Sequence, residues 1–302
     1  MRIYFDNYNP TSSSGPNSFG SKLSRSLKKL GHEVTLGGFG DVQLSFIQTS
    51  SKRCSKVVLR LDGIYFNTRQ DWRSLNAEIE KSHGLADCVI YQSDFNRRLA
   101  EHYFGPAKSH RVIGNGTIME AVSDIPALDR KTLGLDRFSE IWCCSSSWRP
   151  HKRLKANIEY FLAKAPPTAG LVVLGENPDF HSTSPRVVYA GKVSWPMCIA
   201  FYKTSKVFLH LAFLDHCPNV VVDASACGCQ VVVSSSGGTK EVAGPDASVV
   251  KDLDWDFSPL DLYDPPPLDF DDVSRNGVES SIDIDDVARK YIDVFRDVIS
   301  LP

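Results

Sequence analysis

The stretch LDHCPNVVVDASACGCQVVVSSSGGTKEV, residues 214–242, decides how this sequence is interpreted. It places a first acid, Asp215, in a loop and a second acid, Asp223, eight residues later in a helix pattern. An apolar strand pattern follows, and Gly237 and Gly238 then precede a further short helix pattern. A buried core requires neither two acids at this spacing nor a Gly-Gly pair before a helix. The stretch therefore predicts a polar ligand that carries hydroxyl groups and phosphates.

Apolar strand patterns and helix patterns alternate along the whole chain, on both sides of this stretch. In the first half we expect strands at 2–5, 32–36, 56–63, 87–93 and 110–117, and helices at 19–31, 72–86 and 94–105. In the second half we expect strands at 140–146, 170–175, 186–191, 206–212, 229–235 and 247–250, and helices at 152–163, 195–204, 218–227 and 238–243. This alternation is typical of parallel sheets with helices on both faces.

A length of 302 residues suits two domains of this kind. We predict an α/β chain of the doubly wound type with two facing Rossmann-like domains, one at 1–130 and one at 131–280. The acidic, Pro-rich segment 251–286 indicates irregular structure on the surface. The amphipathic pattern at 281–302 predicts a C-terminal helix that packs back on the first domain. Open parallel sheets bind ligands at the carboxyl ends of their strands, so this architecture predicts a ligand cleft.

Composition and charge argue against several other classes of protein. The net charge is −2. Although the first 130 residues are mildly basic, neither half is basic enough to indicate a nucleic-acid-binding protein. We expect no stable nucleic-acid partner and at most peripheral contact with a membrane. The eight cysteines lack a paired spacing, which favours reduced thiols. Because no apolar run is long enough to span a bilayer and no signal-peptide pattern is visible, we expect a cytoplasmic protein.

The loops after the strands indicate which ligands fit. The sequence has neither the glycine fingerprint of dinucleotide-binding proteins nor a P-loop, which argues against both kinds of nucleotide site. The Ser- and Gly-rich loop that contains Gly15 can offer backbone N–H groups to an anion or a sugar hydroxyl, or it is a plain flexible loop. Arg149, Lys152 and Arg153 follow the strand at 140–146, where cations beside a helix N-terminus favour a diphosphate.

The two acids and the Gly-Gly pair support the same interpretation. Asp215 and Asp223 can each accept hydrogen bonds from a vicinal diol, and a nucleotide sugar has two diols, one on the sugar and one on the ribose. Gly237 and Gly238 would expose N–H groups before a helix that begins at Thr239, which makes a second site for phosphate. The alternative is that both acids only cap helices.

These motifs resemble those of the GT-B fold glycosyltransferases of family 4. The signature of that family is a Glu, a second Glu eight residues later, then Ala-x-Ala-x-Gly, an apolar strand and Gly-Gly-x-x-Glu. Residues 215–241 match it in every element except that both acids are Asp. The resemblance also covers KKLGHEV, ADCVIYQSDFNRRL, RVIGNGT and SSWRPHKRL, and so extends over most of residues 1–250.

The resemblance implies a retaining transfer of a hexose-type sugar from a UDP- or GDP-linked donor to a glycan, lipid-linked or other hydroxyl acceptor. It implies no metal ion and no cofactor, since the nucleotide sugar is a substrate. Asp215 would contact the donor sugar as a catalytic residue, and Asp223 would contact the ribose. Ser147 stands where the family has its arginine, which makes Arg149 the candidate substitute. The residues implied in binding the donor phosphates are Gly15, Arg149, Lys152, Gly237, Gly238 and Thr239.

A further departure from the family concerns catalysis. Many members have a His-Asp pair after the strand predicted at 56–63, whereas this chain has Leu61–Asp62. Asp62 is therefore the second catalytic candidate, which orients the acceptor or contacts the donor sugar, unless it only fixes the backbone at the strand end. Two other functions stay open. One is a nucleotide-sugar epimerase or phosphorylase-like enzyme of the same fold, and the other is a non-catalytic nucleotide-sugar-binding protein.

Overall fold

The computed structural model of the chain describes residues 1–12, 14–275, 277–278 and 281–301. Its internal contacts divide the chain into two compact units. Unit 1 consists of Met1–Ile118, Asp256–Leu260 and Ser281–Pro302, and unit 2 consists of Met119–Trp255 and Asp261–Ser280. Each unit contains its own sheet.

Unit 1 has a six-stranded parallel sheet in the order β2-β1-β3-β4-β5-β6. The strands are β1 (Arg2–Asp6), β2 (Glu33–Thr35), β3 (Val42–Phe46), β4 (Val57–Leu61), β5 (Cys88–Tyr91) and β6 (His110–Val112). The helices are α1 (Gly15–Lys29), α2 (Trp72–Leu85), α3 (Asp94–Phe104) and α8 (Ile284–Ser300). Strand β3 was not predicted, because Gln43 and Ser45 interrupt its apolar pattern. Both side chains are buried and hydrogen-bond to Asp6, which makes this polar strand tolerable in the core.

Helix α8 packs against α1 in the core of unit 1. The predicted apolar stripe of α1 supplies Phe19 and Leu23, and that of α8 supplies Tyr291 and Phe295, all of which are buried. Asp285, in the first turn of α8, accepts hydrogen bonds from Ser26 and Lys29 of α1. The apolar face of the last helix is thus buried against the first helix of the same unit.

Unit 2 has a seven-stranded sheet in the order β13-β12-β11-β10-β7-β8-β9, which is parallel except for the short edge strand β13. Its strands are β7 (Ile141–Ser145), β8 (Gly170–Leu174), β9 (Val187–Gly191), β10 (Val207–His210), β11 (Gln230–Ser234), β12 (Ser248–Val250) and β13 (Val273–Ser274). Its helices are α4 (Met119–Asp124), α5 (Leu154–Lys164), α6 (Trp195–Thr204) and α7 (Asn219–Ala226). Counted from β7, the parallel strands follow the Rossmann order, whose switch point lies between the first and fourth strands, here β7 and β10.

The structure confirms the predicted fold class, an α/β chain with two Rossmann-like parallel-sheet units. Two predicted helices differ in detail. The one expected from residue 152 begins at Leu154, after a 3-10 turn at Pro150–Lys152, and the one expected at 238–243 is only a 3-10 turn at Thr239–Glu241. All eight cysteines are free. Among the described residues, no helix has the length and apolar character needed to cross a membrane.

Candidate functional site

The switch point of unit 2 brings together two side chains that the sequence singled out. The chain leaves β7 through a loop and a 3-10 turn that ends at Lys152, and it leaves β10 through a loop that contains Asp215. Lys152 Nζ lies 2.5 Å from Asp215 Oδ2. The two side chains are 18% and 14% exposed, so this ion pair is mostly buried at the carboxyl edge of the sheet. Open α/β sheets bind their ligands at this position.

Two further groups hydrogen-bond to the Asp215 carboxylate. His210 Nε2, from the end of β10, lies 2.8 Å from the same Oδ2 atom, and the backbone N–H of His216 donates to Oδ1 at 3.0 Å. Burial by itself raises the pKa of Asp215, but the positive charge of Lys152 and the hydrogen bond from His210 outweigh it and hold that pKa well below its usual value. Asp215 is therefore ionised near neutral pH.

The Gly-Gly pair lies directly against the backbone of Asp215. The N–H of Gly238 donates to the Asp215 carbonyl oxygen at 2.8 Å. Gly237 has a φ of +76°, and a β-carbon on it would lie 2.4 Å from the same oxygen. Since the Gly238 N–H is used in this way and the following turn is not an α-helix, the predicted helix N-terminus for phosphate is not formed. Thr239 is fully buried, and no described residue hydrogen-bonds to its hydroxyl oxygen.

The cations after β7 differ in their surroundings. Arg149 is exposed to solvent, whereas Ser147, at the position of the family arginine, lies 3.5 Å from Glu176. Arg153 was expected beside them in the diphosphate site, but it is buried and pairs with both oxygens of Asp252, at 2.7 and 3.1 Å. Its backbone is in the left-handed region, with φ at +51°, which turns the side chain into the core. Arg153 is therefore a structural residue, and Lys152 and Arg149 are the cations at the edge of the sheet.

Asp223 lies within α7 and is 3% exposed. Its Oδ2 atom accepts a hydrogen bond of 2.9 Å from the indole N–H of Trp195, the first residue of α6. The carboxylate predicted to contact the ribose is thus held by an aromatic side chain that is itself only partly buried.

In unit 1, Asp62 follows β4 and belongs to a buried polar network at the carboxyl ends of three strands. Arg60 and Gln92 both donate to Asp62 Oδ1, and Arg60 also donates to Asn115 Oδ1 at 2.8 Å. The Oδ2 atom of Asp62 is buried, and no described residue donates to it. Burial raises the pKa of Asp62, and the neighbouring Arg60 only partly opposes that rise. A buried carboxylate oxygen without a partner is suited to accept a hydrogen bond from a ligand hydroxyl.

Gly15 is the first residue of α1 and is exposed. Ser14 caps this helix without a side-chain hydrogen bond to its backbone, and Ser13 lies outside the described residues. The guanidinium of Arg60 lies 4.0 Å from the ring centroid of Phe19, in the first part of α1. This contact links the start of α1 to the network that holds Asp62.

The residues of these clusters that were missed from sequence include His210, Trp195 and Arg60. Each lies in or beside an apolar run and has the pattern of an ordinary core residue. Of these, only Arg60 could have been identified from sequence, because a charged residue in the middle of an apolar strand is rarely buried without a partner. Within the described part of the chain, no three His, Cys, Asp or Glu side chains come together as metal ligands.

Comparisons with known proteins agree with this geometry. Residues 129–256 match the model of the family "Glycosyl transferases group 1". No curated protein sequence matches the chain.

Similar solved structures extend over nearly the whole chain. Anabaena HepE in complex with UDP and glucose is 15% identical, with a TM-score of 0.66 over 98% of this chain and 100% of that one. Sucrose-phosphate synthase from Thermosynechococcus elongatus is 13% identical, with a TM-score of 0.69 over 99% of both chains. A glycosyltransferase from Rickettsia africae is 12% identical, with a TM-score of 0.69 over 100% of this chain and 99% of that one. The chain thus has the GT-B fold of glycosyltransferases, and its residues 129–256 match the glycosyl transferases group 1 family.

Proposed function

We propose that this protein is a glycosyltransferase that moves a hexose-type sugar from a nucleotide-diphosphate sugar to a hydroxyl acceptor, with retention of configuration and without a metal ion. The observation that carries the proposal is the Lys152–Asp215 pair at the switch point between β7 and β10. This is where a Rossmann-type unit binds a nucleotide, and the family match covers both residues.

The proposed donor site uses the cations to stabilise the leaving group. When the bond to the sugar breaks, negative charge develops on the nucleoside diphosphate, and Lys152 and Arg149 are placed at the sheet edge to neutralise it. Asp215 orients the donor sugar through its hydroxyl groups, and Asp223 orients the ribose. Thr239 can donate its buried hydroxyl to a phosphate oxygen, which would satisfy a group that has no hydrogen-bond partner among the described residues.

Asp62 supplies the second set of polar contacts. Its Oδ2 atom accepts a hydrogen bond from a sugar hydroxyl, while Arg60 and Gln92 fix its other oxygen. The side chain is then held in one orientation without using the atom that binds the ligand. We propose a UDP- or GDP-linked donor and a glycan, lipid-linked or other hydroxyl acceptor. UDP with glucose is bound in the Anabaena HepE structure, which favours UDP as the first donor to test.

The proposal is tested by incubating the protein with UDP-, GDP- and ADP-linked sugars and a panel of glycan and lipid-linked acceptors. We expect one donor to release its nucleoside diphosphate and one acceptor to gain the sugar. The anomeric coupling constant of the product in proton NMR should match that of the donor, and EDTA should leave the rate unchanged. Asp215→Asn should lower the rate strongly, because it removes the charge that pairs with Lys152.

The other outcomes distinguish the alternatives. A product with inverted configuration or a rate lost in EDTA would contradict the retaining, metal-free mechanism. Conversion of the donor sugar without an acceptor would indicate an epimerase, and donor binding without turnover on any acceptor would indicate a binding protein.

A further inference from the structure

Lys152 and His210 hydrogen-bond to the same oxygen atom of Asp215. Lys152 Nζ lies 2.5 Å and His210 Nε2 lies 2.8 Å from Oδ2, while Oδ1 already accepts from the backbone N–H of His216. The two side chains reach Asp215 from different strands of the sheet, Lys152 from the turn after β7 and His210 from the end of β10 itself. One of them can therefore move while the other stays in place.

The two partners differ in how free they are to move. The His210 side chain is 4% exposed and is fixed within a central strand, whereas the Lys152 ammonium lies on a long side chain that is 18% exposed. A diphosphate bound at the sheet edge would compete with Asp215 for Lys152. The other buried basic side chains of this cluster carry no positive charge. His151 and His216 are buried beside it, and burial lowers their pKa values to about 3 and about 4, so both are neutral.

We propose that binding of a nucleotide sugar moves Lys152 from Asp215 to the diphosphate, and that His210 is the positioning residue that holds Asp215 in place after Lys152 has left. This inference rests on the proposed function. Without His210, Lys152 would be the only described side chain bonded to Oδ2, and a buried carboxylate that loses its charged partner is strongly destabilised. The diphosphate would then have to break a tighter ion pair, so its affinity would fall.

The exchange leaves His210 in the same protonation state. In the free protein His210 is neutral, because burial lowers its pKa more than Asp215 raises it, and the positive charge of Lys152 lowers it further. Asp215, Lys152 and His151 are the ionisable groups that act on His210. When Lys152 moves away, the attraction of Asp215 for a proton on His210 is less opposed, so the pKa of His210 rises. Burial, the strongest influence on that pKa, still lowers it, so His210 stays neutral near neutral pH and keeps the N–H that it donates to Asp215.

Isothermal titration calorimetry of the whole chain provides the test, with wild type, His210→Leu and His210→Gln as the three proteins. The ligands are the UDP-sugar or GDP-sugar that the wild type binds and the corresponding nucleoside, which lacks the diphosphate. Thermal melting of each variant checks that it is folded.

We expect His210→Leu to weaken nucleotide-sugar binding about tenfold, as for loss of a hydrogen bond to a charged group, and to leave nucleoside binding unchanged. His210→Gln, which keeps an N–H donor, should restore most of the affinity. Equal weakening of both ligands, or no change for either, would overturn the inference while leaving the proposed function intact. A wild type that binds no nucleotide sugar would overturn both.

Discussion

The α-carbon of Gly237 lies against the backbone carbonyl of Asp215, with room for a hydrogen but not for a side chain. This close approach lets the N–H of Gly238 reach the same carbonyl, which ties the loop after β11 to the loop after β10. The Gly-Gly pair therefore fixes the backbone that carries Asp215, where the sequence had suggested a helix N-terminus.

Gly237→Ala should damage both stability and donor binding. The new β-carbon would lie 2.4 Å from the Asp215 oxygen, and the residue would keep a φ of +76°. Gly228→Ala is the matched control, because its φ is +81° but nothing lies within 4 Å of the added carbon. We expect the control to lose about 1 kcal/mol of unfolding free energy from backbone strain alone and Gly237→Ala to lose clearly more. Equal melting temperatures and equal donor affinities for the two variants would argue against this role of Gly237.

Asp62 should set the acid limit of the enzyme's activity. Protonation turns one oxygen of the carboxylate from an acceptor into a donor, and burial raises the pKa of Asp62. As the pH falls, activity should therefore decline at a higher pH than expected for an ordinary Asp, whose pKa is about 3.9. Asp215, with its lowered pKa, should not contribute to this decline.

The measurement for Asp62 is the pH dependence of kcat/KM for wild type and Asp62→Asn. Asp62→Asn should lose at least tenfold in activity, because a hydrogen bond to a charged group contributes about 1.5–3 kcal/mol, and should lose the acid limb as well. An acid limb that persists unchanged in Asp62→Asn would assign it to another group.

Trp195→Phe tests whether Asp223 depends on its indole partner. The variant keeps a ring at residue 195 but removes the N–H that reaches the buried carboxylate. We expect a loss of about 1.5–3 kcal/mol in unfolding free energy, the contribution of a hydrogen bond to a charged group, and weaker donor binding. Trp142→Phe is the control, since its partner Glu140 also receives a hydrogen bond from Lys206 and lies just before β7, at the end of that strand away from the site. If both variants bind the donor equally well, Trp195 does not position Asp223 for the ligand.

His151 should make the fold sensitive to acid. Its ring stacks on Tyr263 and its pKa is lowered to about 3 by burial, from an ordinary value of 6.5. A lowered histidine pKa contributes stability that is present above pH 6.5 and is lost as the pH falls below it, here by about 2 kcal/mol at pH 5. His151→Phe keeps the stacking and removes the titration, so its urea midpoint should change less between pH 8 and pH 5 than that of the wild type. An identical change in both proteins would contradict the assignment.

Sequence patterns predicted most of the architecture, because apolar periodicity reports directly on which residues face a core. Strand β3 was missed since Gln43 and Ser45 interrupt its apolar pattern, and the Asp6 carboxylate to which both donate is distant in the sequence. Lys152 and Asp215 were predicted as separate parts of one site, and the structure shows that they touch. The role of Arg153 could not be predicted, because no pattern in the local sequence indicates its left-handed backbone or its pairing with Asp252.

The most direct measurement is an equilibrium titration of nucleotide sugars into wild type, Lys152→Ala and Lys155→Ala. Lys155 is the control because it lies three residues further on, in α5, where it is exposed and pairs with Glu159. We expect the wild type to bind one class of nucleotide sugar and Lys155→Ala to bind it equally well. Lys152→Ala should bind it at least tenfold more weakly, a loss of about 1.4 kcal/mol. Equal affinity in Lys152→Ala and wild type, or no binding of any nucleotide sugar by the wild type, would contradict the central claim.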